Sequence, residues 1–246
     1  MEEVHTFSAG KAIYLLRRAR KASEFPYEIE YGWAKSVVDP MQLLPPFKSL
    51  RLKEGIVLRA YQVRGDIAGN GFVFAVPESA PFPEPEEWGV DLVELFYPPA
   101  PPGALDNVME AIEGDGTPWS YLSASLLARE LAEFGAFWHA CNWSTHTIMD
   151  EKSFIRQTTR YSRKLPKDDN APCDIEHEIW EWLEPKPRGW DPVVEMGDNS
   201  ITVIFYTFSE YVISSIYRQV DTYKPGSYVA ISEETAIAHG PGGYIF

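Results

Sequence analysis

Apolar residues recur at helical spacing in two parts of the chain, residues 9–22 and the stretch that follows Thr117. Ser8 can cap the first helix, and Pro118 stands at the first position of the second, where proline is well tolerated. Gly135 offers the second helix a left-handed end. The pattern therefore predicts one helix over residues 9–22 and another that runs from Pro118 and stops before Gly135.

Alternating and β-branched runs predict two antiparallel hairpins. Residues 56–63 and 71–76 are predicted strands, and the turn-forming residues 65–70 connect them. Residues 193–196 and 201–208 flank a Gly-Asp-Asn turn and form the second predicted pair.

Three further segments have patterns that predict a strand or a helix. Residues 90–96 predict a strand that ends at a run of prolines, which cannot donate ladder hydrogen bonds. Residues 136–148 would carry aromatic rings on both faces of a strand, which predicts a central strand covered on both sides. Residues 209–220 predict a helix, because four apolar residues share one helical face: Val212, Ile213, Ile216 and Val220.

Hairpins mixed with a few separated helices are typical of the α+β class. We therefore expect a largely antiparallel sheet, built from hairpins and flanked by a few helices. Strict alternation of strands and helices is absent, so the pattern does not favour a Rossmann or TIM-barrel architecture. The 246 residues fit one domain, 1–246, and the alternative is a weak boundary near 98–103.

The charge of the chain is strongly negative and unevenly placed. The formal net charge is −14, and residues 71–150 carry one basic residue, Arg129, against thirteen acidic ones. Aromatic residues make up 14% of the chain, which favours a core rich in rings over an aromatic-lined groove. An acidic balance of this kind opposes binding to nucleic-acid phosphates, and no nucleic-acid partner is expected.

The acidic middle of the chain predicts a surface that attracts a basic protein. We expect an acidic binding protein, for instance one that neutralises a toxic enzyme as immunity-type proteins do. The alternative is a solvated surface that only keeps the protein in solution. The residues expected to contact the partner are five acids in one stretch, Glu84, Glu86, Glu87, Asp91 and Glu94.

A second hypothesis is a hydrolase, whose candidate catalytic residues are His139, Cys141 and His177. A cysteine nucleophile needs a histidine within hydrogen-bonding reach and a third group that orients it. The ordinary alternative is a pair of buried cysteines and a few histidines that hydrogen-bond within the core. The sequence alone does not decide whether the chain is an enzyme.

No metal site and no cofactor are expected. Zinc favours four ligands in a tetrahedron, but Cys141 and His146 would face opposite sides of a strand. Walker, dinucleotide-binding and zinc-protease motifs are all absent from the sequence.

A cytoplasmic location without membrane contact is expected. No apolar run approaches the length that spans a bilayer, and the first residues do not resemble a secretory signal. The two cysteines, Cys141 and Cys173, fit a reducing compartment, although one disulfide between them is the alternative.

Overall fold

The computed structural model describes residues 3–25, 31–92, 95–162, 180–240 and 243. Its helices are α1 (Ala9–Ala22), α2 (Pro118–Ala132) and α3 (Glu151–Ser162). Its strands are, in chain order, β1 (Glu3–Thr6), β2 (Gly32–Lys35), β3 (Leu50–Leu52), β4 (Ile56–Arg64), β5 (Ala68–Pro77), β6 (Ile112–Gly114), β7 (Phe137–Trp138), β8 (Thr147–Ile148), β9 (Glu181–Trp182), β10 (Val193–Met196), β11 (Ile201–Ser209), β12 (Ser215–Tyr223) and β13 (Ala230–His239).

Both predicted long helices are confirmed, and their first turns are anchored differently. Thr117 caps α2, since its side chain accepts a hydrogen bond from the backbone N–H of Ser120. Ser8 makes no such bond, and the N–H of Ala9 instead donates to Oδ1 of Asp191 at 2.9 Å. This contact ties the start of α1 to a residue near the other end of the chain.

A large antiparallel sheet has the strand order β1-β10-β11-β12-β13-β9, and β8 pairs with β11. The predicted hairpin of β10 and β11 is confirmed. The predicted helix over 209–220 is wrong, because β12 pairs with β11 along its whole length. Ile216 and Val220 share a face at the two-residue period of a strand as well as at helical spacing, and β-branched residues favour the strand.

A smaller antiparallel sheet has the order β2-β4-β5-β7, and β3 pairs with β6 separately. The predicted hairpin of β4 and β5 is confirmed. These hairpins and the three helices confirm the α+β class. Among the described residues of 90–96, no strand forms.

The predicted long strand over 136–148 is also wrong. It divides into β7, a 3₁₀ turn at Trp143–Thr145, and β8. The carboxylate of Glu133 accepts hydrogen bonds from the N–H groups of Asn142, Trp143 and Ser144. A side chain therefore takes the donors that a central strand would have given to a neighbouring strand.

Helix α2 is the centre of the main core. It is buried on most of its surface and contacts β5 of the small sheet as well as β10 and β11 of the large sheet. A second, smaller cluster lies on the opposite face of the large sheet and includes Met149, Phe154, Trp180, Trp190 and Phe208. The one-domain organisation and its alternative boundary near 98–103 stay a prediction.

Gly71 allows the small sheet to approach α2 closely. A Cβ atom at this position would lie 2.3 Å from the backbone oxygen of Phe134, just beyond the end of α2. We expect Gly71→Ala to lower the free energy of unfolding by about 1–3 kcal/mol, because a backbone atom cannot move aside easily. Urea denaturation measures this change. Gly189→Ala is the control, since a Cβ there meets nothing within 4 Å, and an equal loss in both variants would contradict the steric explanation.

Candidate functional site

Four of the five acids predicted to bind a partner lie within residues 84–91, which we call the acidic segment. This segment forms a turn on the surface. The side chains of Glu84, Glu86, Glu87 and Asp91 are exposed around a 3₁₀ turn at Pro85–Trp88. Glu84 and Glu87 exchange side-chain-to-backbone hydrogen bonds in a capping box. Glu94 lies outside the described residues, so four of the five predicted partner-binding acids have a defined place.

Aromatic rings hold the acidic segment to the small sheet. The ring of Tyr61 in β4 stacks on Phe82 at 4.3 Å and meets Trp88 edge-on at 4.7 Å between centroids. The Tyr61 hydroxyl donates to the carbonyl oxygen of Pro83 at 2.8 Å. Burial raises the pKa of Tyr61, and the charge of Glu84 and that of Glu87 add to the shift. The segment therefore presents its acids from a rigid base.

Two further acids of the middle stretch serve local structure, as Glu84 does through its capping box and its ion pair with Lys35 at 2.6 Å. Asp115 accepts two hydrogen bonds from Thr117, and the bond from the Thr117 hydroxyl is the main reason why the pKa of Asp115 lies below its usual value. Glu113 pairs with Arg51 across β3 and β6 at 3.0 Å. The acidic middle is thus not a single free surface.

Two exposed rings follow the acidic segment along the chain. Phe96 is 86% exposed and Tyr97 is 74% exposed. Tyr97 meets Phe72 of β5 edge-on, with 5.7 Å between ring centroids. Exposed apolar groups beside charged ones are typical of surfaces that bind other proteins.

A groove begins at these rings and passes between the two sheets. Its first part, of about 280 Å³, lies beside Phe72, Phe96 and Tyr97. Its second part, of about 630 Å³, shares Phe72 and Tyr97 and reaches Ala132 and Ser232. Its third part, of about 420 Å³, shares Ala132 and Ser232 with the second part. We call these three adjoining clefts the groove.

The far end of the groove is polar and rests on a buried ion pair. Arg129 of α2 binds Asp221 of β12 with two hydrogen bonds of 2.6 and 3.0 Å, and Asp221 is fully buried. Arg129 also donates to the side chain of Gln219, which in turn donates to Glu234 of β13 at 2.5 Å. The side chain of Glu234 is 43% exposed and carries the negative charge of this network to the surface.

His146 lies in the same polar end and is nearly fully buried. Its Nδ1 atom shares a hydrogen bond of 2.9 Å with the hydroxyl of Thr207. Burial lowers the pKa of His146 below its usual value, although the charges of Glu234 and Glu133 act in the opposite direction. The ring is therefore neutral at pH 7.

Sequence reasoning did not identify Arg129, Asp221 or Gln219 as members of a site. Arg129 did carry a signal, because it is the one basic residue among residues 71–150. A lone arginine in an apolar helical stripe indicates a buried partner of opposite charge. Gln219 lies in the stretch that the apolar spacing assigned to a helix, and Asp221 lies just beyond that stretch. Both residues belong to strand β12.

The described part of the chain contains two of the three residues predicted for a hydrolase. His139 is exposed and Cys141 is half-buried, in a turn that follows β7. Neither residue lines the groove, and His177 lies outside the described residues. The hydrolase hypothesis stays a prediction.

The described residues hold no group of three or more His, Cys, Asp or Glu side chains that could bind a metal ion. None of the helices in the described ranges combines the length and the apolar character needed to cross a bilayer. No protein-family model matches the chain, and comparisons with curated proteins and with solved structures give no match.

The ion pair of Arg129 and Asp221 makes a testable contribution to stability. Asp221→Asn leaves the guanidinium, whose side chain is only 15% exposed, without its counter-charge, so we expect a loss of about 3 kcal/mol in the free energy of unfolding. Urea denaturation measures it. Glu113→Gln, which breaks the exposed pair with Arg51, is the matched control and changes stability by less than about 1 kcal/mol. Similar values for the two variants would mean that the buried pair has no special weight.

The buried neutral state of His146 makes stability depend on pH. Below pH 6.5, the ordinary histidine value, the unfolded chain takes up a proton that the folded chain excludes. The free energy of unfolding therefore decreases as the pH falls, by at most about 1.4 kcal/mol per pH unit from this residue. His146→Gln removes that part of the slope in denaturation series between neutral and mildly acidic pH. His139→Gln, which removes an exposed histidine, keeps the wild-type slope, and an unchanged slope in His146→Gln would refute the assignment.

Proposed function

We propose that this chain is a binding protein that engages a basic protein partner through the acidic segment and the adjoining groove. The observation that carries the proposal is that the acidic segment and the groove share an aromatic base. The ring of Trp33 packs on Phe72 of the groove and on Trp88 of the acidic segment, with 5.4 and 5.5 Å between centroids. Exposed carboxylates stand at one end, the exposed rings of Phe96 and Tyr97 follow, and Glu233 and Glu234 stand at the other end.

The composition of this surface supports a protein partner. Protein interfaces combine aromatic anchors with a polar rim, and aromatic residues supply much of their binding energy. Phe96 and Tyr97 offer such anchors, and the carboxylates offer the rim. Because the acidic segment is held by Tyr61 and by its capping box, little conformational freedom is lost on binding.

The charge supports a basic partner and opposes nucleic acid. A net charge of −14 repels phosphates and accelerates the encounter with a cationic protein. In its immunity-type form, the proposal adds that the partner is a toxic enzyme whose activity falls when this chain binds. The expected location of such a complex is the cytoplasm.

Charge reversal in the acidic segment tests the proposal. Glu86→Lys with Asp91→Lys leaves the capping box of Glu84 and Glu87 intact. We expect association with a lysine-rich peptide to slow by about tenfold or more at low salt, because electrostatic steering is lost. Stopped-flow fluorescence of the tryptophans measures the rate.

The control changes the net charge equally at exposed acids outside the acidic segment, with Glu54→Lys and Asp106→Lys. The proposal expects a much smaller decrease in the control than in the segment variant. If the two variants slow association equally, only the total charge matters and the acidic segment is not the binding site.

A further inference from the structure

The outer edge of β13 is open over most of its length in the described part of the chain. On this edge β9 pairs only with Ala238 and His239, while Leu183 and Glu184 donate to the carbonyl oxygen of Ile237. Residues 230–236 pair with β12 on the other side. In such an edge strand every second residue points its N–H and C=O outward, where another strand can bind them.

The facing edge of β5, across the groove, is closed by contrast. The N–H of Gly71 donates to the side chain of Asn70, and the carbonyl oxygen of Ala75 accepts from Leu105. Of the two sheet edges that border the groove, β13 is therefore the one able to accept a strand.

Side chains on the two faces of β13 define what such a strand must carry. Glu234 lies on the groove face, as its hydrogen bond from Gln219 shows, and Ser232 shares that face by strand alternation. Ile231, which is 73% exposed, and Glu233 alternate to the opposite face, and Glu233 also borders the third cleft at the strand edge. An added strand would place basic residues beside the glutamates on either face. On its groove side, an apolar residue would contact Ala128 and Leu131 of α2.

The two glutamates also select against the commonest wrong occupant, a second copy of this chain. Antiparallel pairing of β13 with its own copy would bring four carboxylates together at one edge, and like charges on adjacent strands are destabilising. A basic strand reverses the sign of this interaction. Charge therefore opposes pairing with a second copy and favours a cationic segment at the same edge.

We infer that an extended, basic segment of the partner protein adds to the large sheet as a strand along β13, over residues 231–235, with alternate side chains in the groove. This inference rests on the proposed function and states how the partner is held. Main-chain hydrogen bonds provide the affinity in this mode, and side-chain pockets on alternate residues provide the specificity.

A short peptide that alternates lysine and valine is the probe for this inference. We expect it to slow amide hydrogen exchange at residues 231–235 by about tenfold or more, since new main-chain hydrogen bonds protect outward N–H groups. A second peptide of the same sequence is N-methylated at every other residue, on the edge that would pair with β13. It keeps the charge, loses the donors and gives no protection.

Glu233→Lys tests the charge requirement at an exposed site, and Glu233→Gln tests it with a smaller change. We expect the dissociation constant of the lysine–valine peptide to rise about threefold to tenfold for the lysine variant and less for the glutamine variant. Glu54→Lys is the matched control on a different surface and leaves the protection of β13 in place.

Several results would overturn the inference. Equal protection by the N-methylated peptide would show that attraction between charges is enough. Slow exchange of the outward N–H groups of residues 231–235 before any peptide is added would show that the edge is already covered. If Glu86→Lys with Asp91→Lys weakens peptide binding while β13 gains no protection, strand addition is wrong and the proposed function stands. If neither surface responds, both are wrong.

Discussion

The groove depends on the guanidinium of Arg129, which joins the central helix to the middle of the large sheet. The side chain of Arg129 is 15% exposed, while that of its partner Asp221 is fully buried. It makes two hydrogen bonds to Asp221 and further ones to the side chain of Gln219 and the carbonyl oxygen of Ser125. The rings of Phe205 and Trp143 lie against the same group, with 5.0 and 5.4 Å from the guanidinium carbon to their centroids. Helix α2 forms the floor of the groove and the sheet forms one wall. The Arg129 contact holds the two together, along with the buried hydrogen bond of Ser125 to Tyr223.

The parts of the fold that the sequence predicted correctly are those that depend on neighbouring residues. Helices α1 and α2 and the hairpins of β4 with β5 and β10 with β11 each show a local period and a local turn. The segment 136–148 was mispredicted because its structure is decided by Glu133, whose carboxylate binds three N–H groups beyond the end of α2. The strand β12 was mispredicted because its apolar spacing fits two periods, and only pairing with β11 and β13 decides between them.

The candidate site, like the fold, was predictable only where it depends on residues that are neighbours in the sequence. Exposure of the acids at 84–91 follows from their charge and from the surrounding prolines, and the structure places them at the surface. The groove was not predictable, since it forms where β5 meets β13, two strands far apart in the sequence. Acidity alone also overstated the binding surface, because Glu130 pairs with Arg20 at 2.9 Å and Glu133 caps a turn. A carboxylate that is committed inside the fold adds stability and little to the recognition of a partner.

The hydrogen bonds made by the polar groups of the groove favour the proposed binding function over the alternative of catalysis. A catalytic site needs polar groups that remain available to a substrate and whose pKa values suit proton transfer. In the groove, Arg129 makes four hydrogen bonds, Glu133 binds a turn, and Nδ1 of His146 bonds to Thr207 in a buried, neutral ring. The polar groups that face outward are the exposed carboxylates of the acidic segment, those of Glu233 and Glu234, and the backbone edge of β13. Such groups suit the cationic, extended partner segment that the proposed function calls for.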